Sequence, residues 1–180
     1  MNYSFALIIS VSLLATLIIH CAANASLVQD TCKKISQKSP DVNYDFCVAA
    51  FESDPTSKTA SLQQLAFISL KLGTSNATAL IPRIKSLLTE SKFDAYAKQC
   101  LRDCLELYSD AIDSLKDAVE DFKEGDLAKA NADISAAMDG ADTCESQFTE
   151  KQGEVSPLTK ENGDFTQLAA ISLAFTAKFP

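Results

Sequence analysis

A stripe of apolar residues between positions 101 and 122 constrains the fold of this chain most. Its members recur at alternating intervals of four and three residues: Leu101, Leu105, Tyr108, Ile112, Leu115, Val119 and Phe122. Because successive residues of an α-helix are rotated by about 100°, this spacing places all seven side chains on one helix face. Such a face must be buried against other elements, so the stripe predicts a long helix inside a helical assembly.

Three further segments show helical spacing. Gly125 and Asp126 are typical of a helix end and a helix cap, and a stripe of mostly small residues follows them: Leu127, Ala130, Ile134, Ala137, Ala141, Cys144 and Phe148. A helix starting near Thr59 or Ser61 is expected to break or kink at Pro82. A last helix contains Phe165, Leu168, Ile171, Ser172 and Phe175. The sequence therefore predicts an all-α protein, an up-and-down four-helix bundle over 57–180.

Two shorter helices are predicted ahead of the bundle. The first ends at Ser39-Pro40 and the second runs from near Asn43 to Glu52. Because Cys32 and Cys47 lie on these two helices, a disulfide between them would make a stapled helical hairpin over 26–56. Closing a loop of about 15 residues in this way contributes roughly 3 kcal/mol.

The amino-terminal segment has the pattern of a secretory leader. An apolar run over 5–19 precedes Ala23-Asn24-Ala25, a small-x-small cleavage pattern, and no charged side chain occurs before Asp30. We therefore expect a signal peptide over 1–25, one exported domain over 26–180, and no membrane association after cleavage. The expected location is extracellular, in the apoplast or cell wall, with the vacuole as the alternative.

Five cysteines remain after the predicted cleavage, and export makes disulfides their default use. Each choice of an odd cysteine leaves three pairings for the other four. Cys104 lies at the edge of the apolar stripe, whereas Cys100 points further away from it. We therefore predict a Cys104–Cys144 bond and a free thiol at Cys100. A zinc site is not expected, since no second Cys or His pair matches Cys100 and Cys104.

Charge and residue usage exclude several classes of function. The net charge of −8 argues against nucleic-acid and anionic-membrane binding and favours a cationic partner. His20, the single histidine, lies in the leader, so the exported chain has no imidazole for nucleophilic catalysis. The five glycines are not spaced as a phosphate-binding loop, and no cofactor is expected. A weak glycosidase with two carboxylates is an alternative, but no carboxylate pair is singled out.

An acidic face lies opposite the apolar stripe, and it is either solvated or a binding surface. It contains Asp110, Asp113, Asp117, Glu120, Asp121 and Glu124. Together with the following turn it supplies the candidate target-binding residues Asp110, Asp113, Asp117, Glu120, Lys123, Glu124, Asp126 and Lys129. The sequon Asn76-Ala77-Thr78 makes Asn76 a candidate glycosylation site.

Several segments resemble the plant invertase and pectin methylesterase inhibitor family. They are Thr31-Cys32, Tyr44-Asp45-Phe46-Cys47, Cys104-Leu105-Glu106-Leu107-Tyr108-Ser109-Asp110-Ala111 and Thr143-Cys144-Glu145. The resemblance spans Val28 to about Ala177 and implies a helical bundle with a hairpin. Within the family, the segments Asp41-Val42-Asn43-Tyr44-Asp45-Phe46-Cys47 and Val155-Ser156-Pro157-Leu158-Thr159-Lys160-Glu161-Asn162 are similar to a pollen-allergen branch whose members are named as invertase inhibitors.

The resemblance implies an enzyme inhibitor, not an enzyme, and leaves its target open. Invertase inhibitors of this family carry Pro-Lys-Phe after a Gly-Asp and insert it into the sugar site, whereas Gly125-Asp126 is followed here by Leu127-Ala128-Lys129. The segments Tyr108–Leu115 and Ser135–Ala141 resemble pectin methylesterase inhibitors. We therefore expect a monomer that blocks a pectin methylesterase or an acid invertase.

A carrier of small apolar ligands is the alternative to an inhibitor, because the core of a helical bundle can hold such molecules. The small residues Ala130, Ala137 and Ala141 argue against it, since they allow the helices to approach closely and leave little room for a cavity.

Overall fold

The computed structural model describes residues 27–177, and all regular elements within that range are helical. Helix α1 covers 27–38 of the described range. It is followed by α2 (Tyr44–Glu52), a short 3₁₀ helix (Pro55–Thr59), α3 (Leu62–Thr89), α4 (Ala95–Glu124), α5 (Leu127–Thr149) and α6 (Thr159–Thr176). The signal peptide predicted over 1–25 lies outside the described residues.

Helices α3 to α6 form a four-helix bundle. Helix α4 packs against α3 and α5, and α6 packs against the same two helices, so each helix lies beside its neighbours in the chain. The short connections between them are typical of antiparallel neighbours. The predicted all-α fold, a four-helix bundle with an amino-terminal helical hairpin, is confirmed.

The buried face of α4 is rotated from the stripe that the sequence suggests. Leu101, Tyr108, Leu115 and Phe122 are buried, whereas Leu105, Ile112 and Val119 are only half-buried. The rest of the buried face of α4 is formed by small residues: Ala97, Cys104, Ala111 and Ala118. Small side chains let α4 approach its neighbours closely, and they carry less weight than large ones in a hydrophobic pattern.

The hairpin of α1 and α2 packs onto the bundle and shares its core. Phe51 of α2 meets Phe175 of α6 edge to face, with ring centroids 6.3 Å apart. The backbone N–H of Asn43 donates to Gln167 Oε1 at 3.0 Å, and Asn43 itself caps α2. The buried residues of the hairpin therefore belong to the same hydrophobic core as those of the bundle.

Helix α3 begins where the sequence predicts but does not break at Pro82. Ser61 and Gln64 form a capping box at its start. The helix continues through Pro82 to Thr89 because Leu80, Ile84 and Leu87 are buried on both sides of the proline. Pro82 and Thr78, whose carbonyl loses its helical hydrogen bond, are exposed, so water can satisfy that carbonyl.

Across residues 27–177, every helix is too short or too polar to cross a membrane.

Candidate functional site

The acidic face on α4 is exposed along its whole length. Asp110, Asp113, Asp117, Glu120 and Glu124 are all solvent-accessible. Two lysines of the same helix interrupt the negative charge: Lys116 Nζ lies 2.8 Å from Asp113 Oδ1, and Lys123 Nζ lies 2.7 Å from Glu120 Oε1. Pairs of this kind between exposed side chains contribute little to stability, so the face remains available to a binding partner.

Asp121 does not belong to this exposed face, contrary to the sequence-based assignment. Its side chain is 5% exposed and lies between α4 and α5, where Oδ1 accepts a hydrogen bond from Lys129 Nζ at 2.7 Å. This bond lowers the pKa of Asp121 and raises that of Lys129. Asp121 lies three residues after the buried Ala118, and this spacing places it at the edge of the buried face of α4.

The turn between α4 and α5 consists of Gly125 and Asp126 alone. Gly125 adopts a left-handed backbone conformation (φ 80°), and the backbone N–H of Asp126 donates to the Asp121 carbonyl at 2.9 Å. Asp126 Oδ1 accepts from the Lys129 backbone N–H at 3.0 Å and so caps α5. Since α5 begins at Leu127, no extended segment projects from the bundle here.

An apolar groove lies beside this turn, at the end of the bundle. It has a volume of about 330 Å³ and is lined mainly by Leu62, Ala66, Phe122, Leu127 and Phe175. Leu62 is 38% exposed, which is unusual for a large apolar residue within residues 27–177. The predicted target-binding residues Lys123, Glu124, Asp126 and Lys129 are exposed on the turn and on the two helix ends that it joins. The turn therefore combines charged side chains with an accessible apolar surface.

Two disulfides cross-link helices of the protein, one in the hairpin and one in the bundle. Cys32 is bonded to Cys47 in the hairpin, and Cys104 is bonded to Cys144 between α4 and α5. Cys100 is a free thiol, and it is buried although the apolar stripe predicts that it points away from the core. Burial raises the pKa of the Cys100 thiol, which keeps it protonated and a poor nucleophile.

A partly buried polar network near the second disulfide could not be predicted from the sequence. The Tyr108 hydroxyl donates to Asn162 Oδ1, and Asn162 Nδ2 donates to Glu145 Oε2 at 2.6 Å. The Thr159 hydroxyl donates to Glu145 Oε1, also at 2.6 Å. The network joins α4, α5 and the first turn of α6, so its role is to position these helices.

Asn76, the candidate glycosylation site, lies in the middle of α3. Its side chain is half-buried and faces a cleft that also contains Phe46 of α2 and Leu168 of α6. The Oδ1 atom of Asn76 is buried and has no hydrogen-bond partner among the described residues. A glycan on Nδ2 would therefore have to leave through this cleft.

Within residues 27–177, the arrangement offers binding surfaces and no metal site. No group of three or more metal-ligating side chains comes together in that part of the chain. The alanines that line α5, Ala130, Ala137 and Ala141, are buried in close contact with the neighbouring helices. Such packing leaves the accessible space in surface grooves such as the one beside the turn.

Comparison with known proteins places this architecture in a family. The model of the family described as "Plant invertase/pectin methylesterase inhibitor" matches residues 26–175. A protein of Platanus acerifolia named "Putative invertase inhibitor" is 49% identical over 160 residues, which cover 89% of each chain. "Pectinesterase inhibitor 12" of Arabidopsis thaliana is 35% identical over 159 residues, which cover 86% of this chain and 88% of that protein.

A solved structure agrees with these sequence matches. The crystal structure of a mutant form of a pectin methylesterase inhibitor from Arabidopsis superposes with a TM-score of 0.65 at 29% identity, covering 77% of this chain and 91% of the other. The matching family model covers most of the chain, and both relatives and the solved structure are named as enzyme inhibitors. The chain belongs to the plant invertase/pectin methylesterase inhibitor family.

Proposed function

We propose that this protein binds and blocks a plant pectin methylesterase, with acid invertase as the alternative target. The observation that carries the choice is the two-residue turn of Gly125 and Asp126, after which α5 starts at once. The invertase inhibitors that the sequence resembles insert Pro-Lys-Phe from this place. Without that motif, the sugar site of an invertase would receive no matching side chains from the turn.

The acidic face of α4 supports an electrostatic mode of binding. Five exposed carboxylates follow one side of the helix, and the whole chain has a net charge of −8. A basic surface on the enzyme would be attracted to this face over distances near the Debye length, about 10 Å at 0.1 M salt. The rigid bundle would then cover the substrate cleft without chemical change to either protein.

The remaining assignments are part of the same proposal. The leader over 1–25 supports export to the apoplast or cell wall, and the vacuole is the alternative compartment. We expect a monomer. Its net charge of −8 argues against binding to nucleic acid or to an anionic membrane. We propose that Asn76 is glycosylated. Because the amide is half-buried in mid-helix, the glycan would have to be attached before folding is complete.

The choice of target can be tested by restoring the missing motif. Leu127→Pro, Ala128→Lys and Lys129→Phe together place Pro-Lys-Phe after Gly125-Asp126. Proline is tolerated at position 127 because it is the first residue of α5. We expect the triple variant to inhibit acid invertase more strongly than the wild type while its inhibition of pectin methylesterase changes little.

A matched control is needed because Lys129 also binds the buried Asp121. Lys129→Phe alone removes this contact without restoring the motif, so it should not inhibit invertase. The proposed target is wrong if the wild-type protein already inhibits invertase fully and has no effect on pectin methylesterase.

A further inference from the structure

The cleft beside Asn76 lies where the hairpin meets the bundle. Its walls include Phe46 of α2, Leu72 of α3 and Leu168 of α6. Its volume is about 380 Å³, which falls within the range of about 300–1,000 Å³ that is typical of small-molecule sites. The cleft therefore has room for a sugar ring at the contact between three helices.

The amide of Asn76 presents its nitrogen to this cleft. Its Oδ1 atom is buried and accepts no hydrogen bond within residues 27–177. The residue as a whole is only half-buried and borders the cleft, which leaves Nδ2 as the polar atom that faces it. Nδ2 is the atom to which a glycan is attached at an Asn-X-Thr sequon. A sugar on this atom would therefore start inside the cleft.

The side chains around the cleft match the chemistry of a pyranose ring, which has apolar C–H groups on its faces and hydroxyl groups at its edge. Phe46 and Leu72 are half-buried, so each keeps accessible apolar surface that a sugar face can cover. Ser53 and Ser75 are exposed at the rim. The Ser53 hydroxyl donates to the Ala50 carbonyl at 2.6 Å, so its oxygen remains an acceptor for a sugar hydroxyl.

The lining favours a tethered neutral sugar over a free ligand. None of the described residues that line the cleft is charged, so an ionic ligand would find no partner for its charge. A sugar bonded to Asn76 is held beside the cleft by a single side chain. Such a short tether gives it an effective concentration that a free molecule of similar affinity does not reach.

We propose that the first N-acetylglucosamine of a glycan on Asn76 occupies this cleft and fastens α2 to α3 and α6. The glycan is attached before the hairpin packs against the bundle. In that step Nδ2 bonds to C1 of the sugar and gives one proton to the transferase. The bond from C1 to the lipid diphosphate of the donor breaks, and the lipid diphosphate leaves. The inference rests on the export and glycosylation proposed above and is independent of the inhibited enzyme.

The first measurement determines whether Asn76 is modified in the full-length protein secreted by cultured plant cells. Thr78→Ala removes the sequon but keeps Asn76, whereas Thr78→Ser keeps the sequon. Thr78 is exposed, so both variants should fold. Mass spectrometry of the peptide that contains residue 76 should find a glycan in the wild type and in Thr78→Ser only. An unmodified peptide from the secreted wild type would overturn the proposal.

The second measurement determines whether the first sugar is covered, using peptide N-glycosidase, which cleaves its bond to Nδ2. The control protein combines Thr78→Ala with Glu150→Asn and Gln152→Thr, which place a sequon at exposed positions just after α5. We expect the glycan to leave the folded wild type about tenfold more slowly than the folded control, because the cleft must open first. After denaturation the two rates should be equal. Equal rates from the folded proteins would overturn the proposal.

The third measurement determines whether the sugar contacts Phe46. Thr78→Ala should lower the urea midpoint of the secreted protein, and it should lower it less when Phe46→Ala is also present. The intrinsic effect of Thr78→Ala on the helix is common to both backgrounds and cancels in the comparison. Equal shifts in the two backgrounds would overturn the contact. The target enzyme takes no part in these measurements, so a failure of inhibition would not affect their outcome.

Discussion

The Tyr108 hydroxyl donates a hydrogen bond to Asn162 Oδ1 at 2.7 Å, and this bond joins the middle of α4 to the first turn of α6. Both residues are buried, and Glu145 of α5 binds the other side of the Asn162 amide. Burial raises the pKa of Tyr108, so the hydroxyl keeps its proton and can donate. Three helices of the bundle are therefore held in register by one buried amide.

Tyr108→Phe should destabilise the protein by about 1–3 kcal/mol, because it leaves a buried acceptor on Asn162 without a donor. Urea unfolding followed by circular dichroism measures the change. Tyr44→Phe is a matched control, since Tyr44 is 38% exposed and its hydroxyl can bind water. Equal effects of the two substitutions would contradict the role assigned to the Tyr108 bond.

Removing the disulfide between α4 and α5 should destabilise the protein far more than removing the free thiol. Cys104→Ser opens a loop of 40 residues, for which the chain-entropy model gives roughly 4 kcal/mol. Cys100→Ser buries a hydroxyl in place of a thiol and should cost about 1–2 kcal/mol. Thermal unfolding compares the variants. Peptide mapping without reduction gives an independent check. Recovery of a peptide linked through Cys100 and Cys144 would contradict the assigned disulfide.

Two glycines should respond to alanine in opposite directions. Gly163 lies inside α6 and Gly125 has φ of 80°, and in both places an added Cβ meets no atom within 4 Å. The two positions therefore differ only in their backbone conformation, which is helical at Gly163 and left-handed at Gly125. Gly163→Ala should stabilise the protein by about 0.5–1 kcal/mol, whereas Gly125→Ala should destabilise it by about 1–2 kcal/mol. A change of the same sign in both melting temperatures would contradict this account.

Association with the target enzyme should slow as salt is added. Raising ionic strength from 0.1 M to 1 M shortens the Debye length from about 10 Å to about 3 Å and screens the acidic face. Asp113→Asn, Asp117→Asn and Glu120→Gln together should reduce both the association rate and its dependence on salt. Stopped-flow or surface-based kinetics measures both quantities.

The control for this experiment removes the same charge from another surface. Exposed carboxylates of the hairpin region serve this purpose, through the substitutions Asp41→Asn, Asp45→Asn and Glu52→Gln. If the two triple variants slow association equally, net charge alone governs the rate and the α4 face has no special role. Salt-independent association of the wild type would mean that the face is simply solvated.

The fold was predictable because its main signals are local. Helical spacing of apolar residues, the Gly125-Asp126 boundary and the Ser61 start are each contained in a few consecutive residues. The buried face of α4 could not be predicted precisely, because Ala111 and Ala118 become core residues only when neighbouring helices approach closely. The unbroken helix at Pro82 has the same cause, since tertiary burial on both sides outweighs a local preference.

The polar features between helices could not be predicted from the sequence. Lys129 meets Asp121, and Tyr108 meets Asn162, only through the angular register of packed helices. Periodicity predicts that a charged residue faces solvent unless it falls on the apolar stripe, and it therefore predicts, wrongly, that Asp121 lies on the exposed face. The exposure of the other candidate residues between Asp110 and Lys129 could be predicted from the position of the apolar stripe alone.

The inhibition itself is tested most directly by titrating the purified protein against a plant pectin methylesterase and a plant acid invertase, each at fixed concentration and mildly acidic pH. We predict that pectin methylesterase activity falls linearly and reaches its minimum near one inhibitor per enzyme, while invertase keeps most of its activity. Full activity of both enzymes at a tenfold molar excess of folded protein, with no complex in gel filtration, would contradict it.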